Sequence, residues 1–195
     1  MNLRQRILKI FYPVIIKFGG RKLHKANRAG TAPPISFYSL QAKLLNGEII
    51  SMEKFKGKKI IVVNTASNCG YTNQYESLQQ LYSQEKNRLV IIAFPSDDFN
   101  EQETGTNEEI QQFCTTVYQL NFPVVQKTIV KKMAEQHPIY KWLTHKPMNG
   151  WNDKDPSWNF SKYIINEEGI LTDYFDPGFD PLDKEVLNAL GAVKK

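Results

Sequence analysis

Two short apolar runs, Ile60–Asn64 and Leu89–Phe94, bracket a segment in which Tyr75, Leu78, Leu81 and Tyr82 recur at helical spacing. Runs this short, rich in β-branched residues and flanked by turn residues, read as buried strands. The intervening period of three to four residues reads as a helix over Asn73–Glu85. Around this unit, residues Phe37 to Leu45, the pair Asn46-Gly47 and Glu48 to Ser51 read as a hairpin, because Asn-Gly supplies the positive φ angles of a tight turn. Thr106 with Glu109 forms a capping box for a helix running to about Val117. His137–Leu143 reads as a short helix, and Lys162–Ile165 with Ile170–Tyr174 as a second hairpin around Asn166-Glu167-Glu168-Gly169. Asp180-Pro181 is expected to cap and start the last helix. Strands and helices alternate centrally and hairpins sit at the ends. That order predicts an α/β chain with an N-terminal hairpin and a central mixed sheet flanked by helices, and it fits a thioredoxin-like fold.

The net charge of +5 over 195 residues belongs to one end of the chain. Residues 1–34 carry eight Lys or Arg and no Asp or Glu, whereas the remainder carries 17 basic and 20 acidic side chains. A near-neutral body argues against a nucleic-acid-binding core. In the basic end, Leu3, Ile7, Ile10, Phe11, Val14, Ile15 and Phe18 recur every three or four residues, opposite Arg6, Lys9 and Lys17. This is the pattern of a basic amphipathic helix, interrupted at Pro13, suited to peripheral contact with an anionic membrane or to packing on a protein surface. The stretch is too short and too charged for a transmembrane span or a secretory signal. Gly19-Gly20 through Pro33-Pro34 then reads as linker, giving an appendage over 1–34 and a folded domain over 35–195.

Cys69 stands where the first strand ends and the helix is about to begin. Backbone N–H groups and the partial positive charge of a helix N-terminus both favour thiolate, the reactive form of cysteine. A buried, inert cysteine is the competing reading. The only other cysteine, Cys114, lies 45 positions away, so neither a disulfide scaffold nor a Cys-x-x-Cys zinc site is expected, and a reducing, cytoplasmic setting fits. His24, His137 and His145 show no metal spacing.

Four segments, taken together, resemble the glutathione peroxidase family. Cys69-Gly70-Tyr71-Thr72-Asn73-Gln74-Tyr75 matches its Cys-Gly-x-Thr-x-Gln-Tyr motif. Phe94-Pro95, Phe99, Gln102-Glu103, Gly105 and Asn107-Glu108-Glu109-Ile110 resemble its second signature. His137-Pro138-Ile139-Tyr140-Lys141 and Trp158-Asn159-Phe160-Ser161-Lys162 resemble its third and fourth. The resemblance implies Cys69 as peroxidatic nucleophile with Gln102, Trp158 and Asn159 around its sulfur. It implies reduction of H2O2 and of organic or lipid hydroperoxides through a sulfenic acid, an antioxidant role in the response to oxidative stress. Thioredoxin or glutathione would recycle the enzyme, with no metal or organic cofactor. Trp151-Asn152 repeats the Trp-Asn pair, but only at Trp158-Asn159 do Phe160, Lys162 and a strand complete the motif.

The chain also departs from the family. Ser96-Asp97-Asp98 stand where Cys-Asn-Gln is common, and the two acids are expected to face solvent. Cys114 is then the remaining candidate resolving thiol. It follows Phe113 directly, a position one residue off the thioredoxin-dependent pattern and so turned about 100° around a helix. Only about 14 residues separate Leu143 from Trp158, which resembles monomeric members of the family. Two other readings remain at this stage. A thiol–disulfide redox protein lacks its second cysteine, because Thr72 occupies that position, and a non-catalytic membrane-tethered binding module draws on the altered Ser96–Asp98 segment.

Overall fold

The computed structural model describes residues 22–192. Five strands form one sheet in the order β1-β7-β6-β4-β5. They are β1 (His24–Ala26), β4 (Lys59–Thr65), β5 (Leu89–Pro95), β6 (Lys162–Ile165) and β7 (Leu171–Phe175), while β2 (Gln41–Lys43) and β3 (Ile49–Ser51) make a separate hairpin. Between β4 and β5 the chain passes through α1 (Gln74–Glu85), which lets the two strands run parallel from Lys59↔Leu89 to Thr65↔Pro95. All other neighbours are antiparallel, so the sheet is mixed as expected. The arrangement is a thioredoxin-like α/β fold.

Alternation along β4 explains why its central run Ile60–Val63 is apolar throughout. Ile60 and Val62 point into one core and Ile61 and Val63 into the other, so no position faces water. The first core is closed by the β2–β3 hairpin through Ala42 and Ile50, by the 3-10 turns beside it through Phe37 and Met52, and by α3 (Pro138–Thr144) through Ile139, Tyr140 and Trp142. The second is closed by α1, α2 (Asn107–Thr116) and α5 (Lys184–Ala189), through Leu78, Leu81, Ile110, Val186 and Leu187. α2 begins with the expected capping box: Thr106 Oγ1 accepts from Glu109 N, and Glu109 Oε2 accepts from Thr106 N at 2.8 Å. A four-residue helix, α4 (Lys146–Asn149), follows α3.

Three elements differ from the sequence reading. Phe37–Ser39 is a 3-10 turn capped by Ser36 rather than the first arm of the hairpin, because Phe37 and Tyr38 both turn into the core. His24–Ala26, within the segment read as linker, pairs with β7 at the sheet edge. His24 stacks on Phe175 at 4.1 Å and reaches Asp173 at 2.7 Å. That pairing is long-range and leaves no local periodicity to read. The last helix starts at Lys184 with Asp183 as its cap residue, not at Asp180-Pro181. Asp180 is committed elsewhere, accepting from Ser77 Oγ and from Leu182 N. The amphipathic segment Leu3–Phe18 lies outside the described residues. Among the described residues, no helix is long and apolar enough to cross a membrane.

Candidate active site

Cys69 lies in a tight turn between β4 and α1, 6% exposed. The helix proper begins only at Gln74, so the thiol sits one turn ahead of it. Thr72 builds that turn. Its hydroxyl accepts from Cys69 N at 3.0 Å and lies 2.8 Å from the carbonyl oxygens of both Ala66 and Cys69. The fold of the turn brings the backbone N–H of Tyr71 to 3.4 Å from Cys69 Sγ, a donor that stabilises negative charge on sulfur without adding a cation.

The loop after β5 is locked to this turn. Gln102 O accepts from Asn68 N at 3.0 Å, and Glu103 Oε2 accepts from Ser67 N at 2.9 Å and Ser67 Oγ at 3.0 Å. Just before it, Asn100 and Glu101 have φ angles of 56° and 51°. A left-handed pair that includes a glutamate is strained backbone, and it carries the chain sharply into Gln102.

A third segment arrives from the start of β6. Asn159 Nδ2 donates to Gln102 Oε1 at 3.1 Å, which occupies the glutamine oxygen and leaves its NH2 group for another acceptor. Trp158 packs on Phe99 with ring centroids 5.5 Å apart and touches the same apolar cluster that holds Cys69. Asn64, near the end of β4, fixes this segment twice, donating to Trp158 O at 3.0 Å and accepting from Phe160 N at 2.6 Å. The structure thus gathers Cys69, Gln102, Trp158 and Asn159 beside the carboxyl ends of the parallel strands β4 and β5, where open α/β sheets place their sites. Trp158 Nε1 and Asn159 Oδ1 are buried and have no hydrogen-bond partner among the described residues. Buried polar atoms are seldom left so, and here they are groups a ligand oxygen or water can satisfy.

The chain belongs to the glutathione peroxidase family. Its residues 37–144 match the family model "Glutathione peroxidase". Among curated relatives, the "Glutathione peroxidase" of Lactococcus lactis is 40% identical over 152 residues, covering 77% of this chain and 96% of that protein. The crystal structure of Trgpx in apo form superposes with a TM-score of 0.61 and 27% identity, covering 81% of this chain and 97% of that one. A DsbF homologue from Corynebacterium diphtheriae shares the fold at a TM-score of 0.59 but only 12% identity. Glutathione peroxidase family membership makes this chain a peroxidase: an oxidoreductase that reduces hydroperoxides at the expense of a thiol.

The remaining sequence candidates fall into place around the site. Cys114 is 2% exposed on the inner side of α2. Burial pushes its thiol up to about 12, so it is protonated at neutral pH. No disulfide joins it to Cys69. Asp97 and Asp98 are half-buried rather than simply solvent-facing, and each anchors backbone with one carboxylate oxygen. Asp97 Oδ1 accepts from Glu103 N at 2.9 Å, and Asp98 Oδ2 accepts from Val130 N at 2.6 Å and Lys131 N at 2.9 Å. His137 caps α3 through its ring nitrogen, and burial pulls its imidazole down to about 4, so it is neutral and structural.

Glu103 is the residue whose part the sequence conceals. A glutamate in a polar loop reads as solvated, yet this one is 1% exposed. Burial raises its carboxyl to about 7, despite the opposing hydrogen bonds from Ser67 and the charge of Lys127. A carboxyl that holds its proton more tightly folded than unfolded stabilises the fold most below its ordinary value of 4.5 and loses that advantage as pH rises to about 7. His137 runs the other way below its ordinary 6.5, losing stability as pH falls toward 4. Comparing Glu103→Gln with wild type isolates Glu103, because His137 is common to both. The variant's relative stability is expected to climb between pH 4.5 and 7 by on the order of 3 kcal/mol and then level off. Urea unfolding of both proteins at stepped pH checks this, and a pH-independent difference would refute it.

Proposed function

We propose that Cys69 is the peroxidatic nucleophile and that Gln102, Trp158 and Asn159 donate to its sulfur and to the peroxide. The observation that carries this reading is the buried Trp158 indole N–H without an acceptor, at a site where the Asn159–Gln102 bond orients two side-chain amides. The Cys69 thiolate attacks one oxygen of ROOH, the O–O bond breaks, and RO⁻ leaves to take a proton as ROH. Neutral donors stabilise the charge that develops on the leaving oxygen. The sulfur retains OH as a sulfenic acid. An external thiol then forms a mixed disulfide with release of water, and a second thiol restores Cys69.

Thioredoxin or glutathione supplies those thiols, acting on Cys69 directly. Burial of Cys114 and its protonated state at neutral pH support this, because condensation with a sulfenic acid needs an accessible thiolate. The deciding assay supplies H2O2 or a phospholipid hydroperoxide with either a thioredoxin recycling system or glutathione. Cys114→Ser is expected to keep turnover within about twofold of wild type with either reductant. A loss confined to the thioredoxin arm would instead make Cys114 the resolving cysteine.

The enzyme works as a cytoplasmic monomer, and residues 1–21, ahead of β1, bring it to membrane surfaces where lipid hydroperoxides form. Arg4, Arg6, Lys9, Lys17 and Arg21, with no acidic residue among them, and the amphipathic spacing from Leu3 to Phe18 support that placement. Flotation with anionic vesicles should carry the full chain and not a chain lacking residues 1–21. Equal recovery of both would sink the membrane role.

A further inference from the structure

Lys162 opens β6 and is 0% exposed. Lysine is almost never fully buried unless its ammonium is paired, and here the partners are two backbone carbonyls from different loops. Nζ donates to Phe160 O at 2.8 Å and to Phe179 O at 2.6 Å.

Each of those carbonyls belongs to one half of the site. Phe160 follows Asn159 and holds a φ of 68°, a left-handed conformation rare for an aromatic residue. Its N–H is held by Asn64 O at 2.6 Å and its C=O by the lysine, so the strained residue is fixed on both sides. Phe179 lies in the loop that clasps the start of α1. There Pro177 O accepts from Gln74 Nε2 at 2.7 Å, and Asp180 Oδ2 accepts from Ser77 Oγ at 2.9 Å. Gln74 and Ser77 form the first turn of the helix that the Cys69 turn leads into.

We propose that Lys162 is a positioning residue for the peroxide step, its ammonium tying the Trp158-Asn159-Phe160 turn to the loop that anchors the Cys69 helix. The inference rests on the assignment of Cys69 as nucleophile with Trp158 and Asn159 as donors. Strained backbone persists only where its surroundings over-determine it, and such strain gathers at functional sites. Without the ammonium, Phe160 is free to relax out of its left-handed conformation. Asn159 moves with it, and so does the amide bonded to Gln102. The charged groups that face Lys162 are Asp176, Asp180 and Asp183 from the loop after β7, and Lys22 ahead of β1. Burial pulls the ammonium down to about 7, and the three carboxylates oppose that fall. Peroxide reactivity therefore falls as Lys162 loses its proton, because a neutral amine makes weaker bonds to the two carbonyls than an ammonium does.

Stopped-flow measurement of the two half-reactions tests this with the full chain. One arm mixes reduced enzyme with H2O2, and the other mixes pre-oxidised enzyme with the reductant. Lys162→Met keeps the length and removes both donors and charge; Lys162→Gln keeps a donor. The Met variant should oxidise about 100-fold more slowly, the scale set by misplacing a catalytic group by about 1 Å. Its reduction step should change by less than about threefold, and Gln should recover part of the loss. The Met profile should also lack the alkaline fall. An equal loss in both half-reactions, or none in either, would overturn the proposal. If neither variant folds, wild type decides. A peroxide rate that stays flat to alkaline pH, with an unchanged near-UV circular dichroism spectrum, also overturns it. Should wild-type Cys69 itself resist H2O2, the fault lies in the nucleophile assignment and not in Lys162.

Discussion

Replacing Cys69 with serine is expected to lower kcat/KM for hydroperoxide by at least about 10³-fold, more than 4 kcal/mol of transition-state stabilisation. A serine hydroxyl is not ionised at neutral pH, and its oxygen is a far poorer nucleophile toward a peroxide bond than a thiolate. Donors arranged for a sulfur anion then have nothing to stabilise. The fold should tolerate the change. The residue is confined by its backbone, with Thr72 accepting from Cys69 N, and the Tyr71 N–H can donate to a serine oxygen as it does to Sγ. Thermal unfolding within a few degrees of wild type, alongside loss of turnover with both reductants, is the expected result. Retention of a tenth of wild-type activity would sink the nucleophile assignment.

The fold was legible where local pattern and tertiary burial agree. β4, over Ile60–Val63, and β5 are continuous apolar runs buried on both faces, and α1 carries a helical period whose marked face, Tyr75, Leu78 and Leu81, is buried. The Asn46-Gly47 turn and the Thr106–Glu109 box are local chemistry, and both appear, with Gly47 at a φ of 86°. Illegible elements are those decided at a distance. β1 is three exposed residues whose strand state exists only because β7 lies beside them. The start of α5 shifts because Asp180 is recruited by Ser77 on another helix, a partner no window around Asp180 contains.

The site divides in the same way. Its four named residues came from ordered motifs, and the structure brings three separate loops together to meet them. What the sequence hid is the support: Asp97, Asp98 and Glu103, charged residues in a polar-looking loop, and Lys162 at the head of β6 all hold backbone groups. Composition marks such residues as surface. The one available signal was Lys162, a charge opening an otherwise apolar strand. Trp151-Asn152 shows the converse, a site-like pair with a structural job. Trp151 Nε1 donates to Leu171 O at 2.7 Å, and Asn152 Nδ2 donates to Leu143 O at 2.7 Å.

That structural job depends on Asn149, and Asn149→Ala is expected to be the most damaging polar substitution for stability. The side chain is 0% exposed and fully satisfied. Its Oδ1 accepts from Trp151 N at 2.9 Å and Asn152 N at 2.7 Å. Its Nδ2 lies within bonding distance of the carbonyls of Trp142, Leu143 and Asn152. Alanine would orphan two buried backbone N–H groups and remove a donor from the end of α3. Each orphaned buried group costs about 1–3 kcal/mol, so a loss of about 3–5 kcal/mol follows. Against a total stability of about 5–15 kcal/mol this is severe, and at about 2–4 °C per kcal/mol it lowers Tm by roughly 10–15 °C. Asn149→Asp keeps the oxygen that accepts both N–H groups but sets its second oxygen, buried, against three carbonyl oxygens, so it should not recover wild-type stability. A loss below about 1 kcal/mol for alanine in urea unfolding would show that water or Asn152 takes over the two N–H groups. Activity per folded molecule should fall far less than stability. Trp158 is held independently of Asn149, by Asn64 Nδ2 on its carbonyl and by the Ser157–Asp176 bond at 2.6 Å.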